Sequence, residues 1–230
     1  MAAAMGTEVE RYTRPARWFH AAVYVTVLLL LGTGWWLAVG REGRPSPVAR
    51  LTGQPDTQLH TWIGWLLTVV VVAGLVLGAR ATATFLRESV QFRRSDLRWL
   101  AEWPRAALTG RFARHDGHFD PGQRVANIAL VTLLAALVVS GVALTQLNGG
   151  PVFAALAQVH RWATWTVTPI LAGHVLVASG LLPGYRGVWR SMHLGGHLDV
   201  RVARRLWPAW VERHPGRASR ARGPTRSSVE

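Results

Sequence analysis

The chain has 230 residues, half of them hydrophobic, and a formal charge of +14 without a single lysine or cysteine. An ordinary soluble domain does not combine that apolar content with that charge unless the two are segregated along the chain. The absence of cysteine excludes disulfides, iron–sulfur ligation and covalent c-type haem attachment on this chain.

Segregation is what the chain shows. Uncharged runs cover 18–40, 57–79, 125–160 and 162–185. The third is too long for one crossing and is broken at Asn148-Gly149-Gly150-Pro151, a strong turn signal. The expectation is an all-α integral membrane protein, a bundle of four transmembrane helices near 16–39, 57–80, 123–147 and 154–180. Residues 1–15 form an N-terminal arm, 16–185 the transmembrane domain, 81–122 a polar connection and 186–230 a basic tail, partly disordered.

Arginines mark the sides of the membrane. They crowd the arm (Arg11, Arg14, Arg17), the 80–124 segment and the tail from Arg186, whereas Arg41, Arg44, Arg50 and Arg161 fall on the opposite side. The positive-inside rule then puts both termini in the cytoplasm and the chain in the cell's inner membrane. The same rule accounts for the high charge without nucleic acid. The first span has a long apolar core and no small-residue cleavage site behind it, so it is expected to stay as an anchor. Within the polar connection, Phe92, Leu97, Leu100 and Trp103 suggest a helix lying in the interface. Most of the 12 tryptophans, among them Trp18, Trp35, Trp62, Trp162 and Trp165, sit near span ends and read as interfacial anchors.

The residues that carry chemistry are four histidines. His160 and His174 are fourteen residues apart in the last span, four helical turns less about 40°, so they leave nearly one face roughly 21 Å apart. His20 opens the first span on the cytoplasmic side and His60 opens the second on the outer side. Depth alone therefore pairs His60 with His160 near the outer surface and His20 with His174 near the inner one. Neutral imidazole is a good iron ligand, and two of them leave no open position, which suits electron transfer rather than oxygen chemistry. The reading is two b haems stacked across the membrane. Gly64, Gly173, Gly141, Gly74 and Gly78 would leave room for a macrocycle edge, and Arg161 outside with Arg14 or Arg17 inside are candidate propionate partners. A membrane histidine also serves simply to bond a neighbouring helix, or to relay protons in a haem-free anchor or transporter. The matched depths weigh against both. His193 and His197 have metal-ligand spacing but no third ligand, and Pro169 should kink the last span, with Thr164, Thr166 or Thr168 able to satisfy a freed carbonyl.

Particular motifs then resemble a known family. Arg17-Trp18-Phe19-His20, Leu59-His60-Thr61-Trp62-Ile63-Gly64, Phe119-Asp120-Pro121-Gly122-Gln123-Arg124, Ser140-Gly141, Val159-His160 and Gly173-His174 look like the gamma (cytochrome b) subunit of respiratory formate dehydrogenase. That subunit belongs to a wider group that includes the cytochrome b subunits of nickel–iron hydrogenases. The resemblance spans roughly 11–185 and implies the same histidine pairing. It also implies an iron–sulfur beta subunit as electron donor, a catalytic alpha subunit that oxidises formate, and a quinone (menaquinone or ubiquinone) as acceptor. The quinone site it implies includes His174, Asp120 and Gly122, with Asp120 where the family typically has asparagine. It implies no formate-oxidising site on this chain. A hydrogenase or thiosulfate-reductase-type subunit, and a stand-alone di-haem cytochrome passing electrons from superoxide to quinone, share the ligand pattern.

Overall fold

The computed structural model describes residues 8–39, 44–214 and 218–219. Arg41 and most of the 213–227 stretch, with Arg217, Arg220, Arg222 and Arg226, lie outside them. In chain order the elements are β1 (Glu8–Glu10), α1 (Arg14–Ala38), α2 (Pro47–Thr52), α3 (Asp56–Leu77), α4 (Ala79–Ser89), α5 (Arg94–Thr109), α6 (Pro121–Leu144) and α7 (Gly150–Ala178). A 3₁₀ turn at Pro183–Tyr185, α8 (Arg190–His193), β2 (His197–Asp199), α9 (Val200–Leu206), α10 (Pro208–Arg213) and β3 (Ala218–Ser219) follow.

Helices α1, α3, α6 and α7 occupy the four apolar stretches. Three (α1, α3 and α6) are individually long and apolar enough to cross a membrane, and α7 qualifies as a fourth when joined with the segment 183–193 after it. The protein is thus a helical, multi-pass membrane protein. Its apolar side chains face outward: Val69 is 63%, Val76 71% and Val139 68% exposed. Such a surface is tolerable only against lipid. The expected break between the last two spans is present, at Gly149 and Gly150, whose φ of 116° and 88° only glycine adopts without strain.

The chain divides into two compact units. The first to be considered is the helical bundle, Trp18–Ser89 with Val125–His174. Inside it, hydroxyls are satisfied by their own helix, as Thr26 donates to the carbonyl of Ala22 at 2.8 Å. The three threonines near Pro169 do likewise. Thr164, Thr166 and Thr168 donate to His160, Trp162 and Thr164. None of these is Trp165, whose carbonyl the Pro169 nitrogen cannot reach as a donor. Trp35 and Trp165, read as anchors, pack edge to face at 4.6 Å, and the Trp35 indole N–H donates to Thr168 Oγ1 at 3.1 Å.

The other unit comprises the N-terminal arm to Arg17, Val90–Arg124 and the chain from Val175. The antiparallel order β2-β1-β3 sets Val9 opposite Leu198 and Ala218. Val9, Ala107, Tyr185, Leu198, Ala203, Leu206, Trp207 and Trp210 form its core. Residues 186–214 are thus folded rather than a tail. The sequence reading missed this because the arginines of α9 and α10 alternate with the buried Ala203, Leu206, Trp207 and Trp210.

Helix α5 does occupy the 81–122 connection, starting where the Arg93 backbone N–H donates to Asp96 Oδ2 at 2.9 Å. Its buried side is Asp96, Trp99, Ala106 and Ala107, while Phe92 and Leu97 of the anticipated stripe are 47% and 71% exposed. The reason is tertiary: Trp99 stacks on Phe112 at 5.9 Å and Trp103 donates to the Tyr185 hydroxyl at 2.9 Å. Two arginines are buried in the same unit. Arg11 lies over Trp207 and Trp210 at 4.4 and 4.5 Å and donates to the carbonyl of His118 at 2.6 Å. Arg124 bonds Asp96 at 2.9 Å and the carbonyls of Phe119, Gln91 and Asp116.

Candidate functional site: two histidine pairs

Within the bundle, three of the four spans, α1, α3 and α7, carry two layers of histidine. In one layer His60 of α3 faces His160 of α7, with ring centroids 6.2 Å apart and planes at 81°. In the other His20 of α1 faces His174 of α7 at 6.5 Å and 53°. The fourteen residues of α7 between His160 and His174 separate the layers by roughly 21 Å.

The rings of the first layer are held from behind. Thr33 of α1 lies 2.8 Å from His60 Nδ1, and Ser140 of α6 lies 2.9 Å from His160 Nδ1. Each hydroxyl spends its one proton on its own helix, Thr33 on Leu29 at 2.9 Å and Ser140 on Ala136 at 2.6 Å. With Nε2 as the ligand to a metal, Nδ1 carries the ring proton, and each hydroxyl, donating to its own helix, is placed to accept it. The neighbouring glycines make that approach feasible. A Cβ on Gly34 would stand 3.2 Å from His60 Cε1, and one on Gly141 3.3 Å from His160 Cε1.

Metal fit follows from elementary lengths. With metal–imidazole bonds of about 2 Å, the length found at zinc, two rings facing one metal from opposite sides have centroids roughly 6 Å apart. Both pairs meet that spacing. No cluster of three or more histidine or acidic side chains suited to a bare metal ion occurs among the described residues. The donor set is therefore two isolated imidazole pairs in an apolar bundle, which is what a low-spin b haem requires.

A family model of prokaryotic cytochrome b561 matches residues 11–196. The chain belongs to the prokaryotic cytochrome b561 family. No curated protein matches it. As a member of this cytochrome family it is a membrane b-type cytochrome of electron transfer, and haem b is the cofactor that the family implies.

Several other expected roles for residues in this cytochrome look different in place. A Cβ on Gly173 would meet nothing within 4 Å, and one on Gly64 would only touch Leu30, so both leave room beside a histidine. Gly141 is instead filled by the ring of His160, Gly74 by the ring of Phe19, and Gly78 by the carbonyl of Gly74. Arg161 and Arg14 are exposed; Arg17 is half-buried, and its Nε lies against Gly196. Asp120 and Gly122 belong to the second unit, His174 to the bundle. Asp120 Oδ1 accepts the Gln123 N–H at 2.8 Å and so caps α6. Burial pushes its carboxyl up, against the opposing pull of that N–H, His115, Arg11 and Arg124. Gly122 gives passage to Trp99, whose ring would stand 3.1 Å from a Cβ there.

Thr33, Gly34 and the hydroxyl of Ser140 are the residues that sequence reasoning passed over. A signal existed. Gly34 lies fourteen residues past His20, and Gly74 fourteen past His60, the spacing that separates His160 from His174. The dipeptides Thr33-Gly34 and Ser140-Gly141 also repeat one pattern on the two spans that carry no histidine of the His60–His160 layer.

Proposed function

We propose that this cytochrome is the di-haem membrane subunit of a formate-dehydrogenase-type complex, passing electrons from an iron–sulfur partner to a quinone. The observation that carries the reading is the presence of two histidine pairs, each spaced for one metal, at the two ends of α7. His60 and His160 would hold the outer haem, His20 and His174 the inner one. Haem b, when bound, supplies a one-electron ferric–ferrous couple. The chain's own part is to present four neutral imidazoles, keep water away with apolar spans, and fix the separation of the layers. The arginine distribution supports cytoplasmic termini in the inner membrane. Having no cysteine, the chain takes electrons from clusters held by another subunit. The resemblance of Phe119–Arg124 and Gly173-His174 to the gamma subunit supports formate as the ultimate donor and quinone as acceptor.

The test is a reduced-minus-oxidised spectrum with haem quantitation on purified wild type and His174→Ala. Two b haems falling to one, with quinone-linked reduction lost, is the expected result. Two haems retained in the variant would overturn the assignment of His174. A cytochrome b subunit of a nickel–iron hydrogenase or thiosulfate-reductase-type complex, or a stand-alone di-haem cytochrome, is the second reading, since the family match reaches only to prokaryotic cytochrome b561. Purification from native membranes separates them: an iron–sulfur and a formate-oxidising subunit accompany the chain only in the first.

A further inference from the structure

We infer that Thr33 and Ser140 are positioning residues that set the potential of the outer haem by accepting the Nδ1 protons of its two axial histidines. The inference rests on the di-haem reading above and concerns residues that supply no ligand themselves.

The geometry is matched on both sides of the layer. Two spans, α3 and α7, provide His60 and His160; the other two, α1 and α6, each provide a hydroxyl followed by a glycine. Thr33 is 8% and Ser140 2% exposed, so water does not compete for either hydroxyl. Both hydroxyls are already polarised, because each donates to a carbonyl of its own helix. A hydroxyl that is donating is a better acceptor, so the chain of bonds strengthens along its length. An imidazole whose Nδ1–H is drawn toward such an acceptor becomes the more basic ligand at Nε2. A more basic ligand stabilises the ferric form over the ferrous and lowers the potential. The bond also fixes the rotation of each ring, which otherwise could turn about its Cβ–Cγ bond. Gly34 and Gly141 complete the device, since a side chain at either would press on Cε1 and lift Nδ1 off its partner.

Thr33→Val keeps the shape of the side chain and removes the acceptor; Ser140→Ala does the same on α6. Potentiometric titration of the b-haem absorbance, with EPR of the ferric protein, is done on the full chain in detergent. In Thr33→Val the outer component is expected to move to higher potential by about tenfold in its ferric–ferrous equilibrium, about 59 mV for one electron. The inner component should stay in place, and Thr33→Ser should restore the wild-type value. Ser140→Ala should shift the same component in the same direction. Full haem content with both midpoints and both ferric signals unchanged in Thr33→Val and Ser140→Ala would overturn the inference and leave the di-haem reading intact. Folded wild-type protein with fewer than two haems would instead overturn the reading beneath it.

Discussion

The hydroxyl of Thr33 stands between two helices, 2.9 Å from the carbonyl of Leu29 and 2.8 Å from His60 Nδ1, placed to donate to the first and, with Nε2 of His60 as a metal ligand, to accept from the second. Ser140 repeats the arrangement toward His160. Each histidine of the His60–His160 layer is thus defined by three spans rather than by its own. Changes on α1 and α6, which carry no outer ligand, should be felt at the outer pair.

Gly141→Val is expected to push the His160 ring aside, because even a Cβ there would stand 3.3 Å from Cε1. Haem content should fall from two toward one while the inner pair keeps its spectrum. Gly173→Ala, where a Cβ would meet no protein atom within 4 Å, serves as the comparison for the inner layer. Pyridine-haemochrome quantitation on both variants distinguishes the two glycines.

Phe19 and Gly74 form a ring-on-backbone contact between α1 and α3. Gly74→Val should cost about 1–3 kcal/mol by overpacking. Adding Phe19→Ala should recover part of that loss, since residues in contact do not behave additively. Thermal unfolding in detergent, followed by helical circular dichroism, reads both. Strict additivity would show that the two do not press on each other.

Arg124 and Asp96 are an ion pair at 2.9 Å with side chains 2% and 4% exposed. Breaking a buried pair from one side leaves an uncompensated charge, so Arg124→Met should destabilise the protein by about 3–5 kcal/mol. Arg124→Lys should not rescue it, because an ammonium cannot span Asp96 and the carbonyls of Phe119, Gln91 and Asp116 together. The midpoint of thermal unfolding is the measurement.

Asp120 gives a pH-dependent prediction whose sign follows from burial. Its carboxyl is raised above the ordinary range, chiefly because the buried charge is poorly hydrated. A raised folded-state value means that stability is fullest below the unfolded value and declines as pH rises through the folded one. Asp120→Asn keeps the cap on α6 without the charge, so it should match or exceed wild-type stability at neutral pH, with the advantage shrinking on acidification. Asp120→Ala loses the cap and should cost about 1 kcal/mol. A gain in Asp120→Asn that is the same at every pH would show that the charge is not its source.

Much was legible before the fold was known, and the reasons are local. An apolar run of about twenty residues commits to a membrane span because unpaired backbone groups are intolerable in lipid. Helical rise and the alternation of span directions pair His60 with His160 and His20 with His174, and the Asn148–Pro151 break separates the last two spans. Less was legible outside the bundle. Trp103 suggested an interfacial anchor, but it donates to Tyr185, and Trp99 stacks on Phe112, partners distant in sequence. Residues 186–214 looked like a tail because their buried tryptophans are dispersed among arginines.

By itself, then, the sequence determined that the chain is a four-stretch membrane protein with imidazoles at two depths, since hydrophobic length and a 1.5 Å rise are properties of one segment at a time. Only the tertiary structure decided which hydroxyl stands behind which histidine, which glycine is filled by which ring, and that Asp120 spends a lone pair on capping α6. Those outcomes depend on how neighbouring spans are rotated about their axes. Every threonine in a span can bond its own helix equally well, so nothing local marks Thr33 until His60 is brought within 2.8 Å of it.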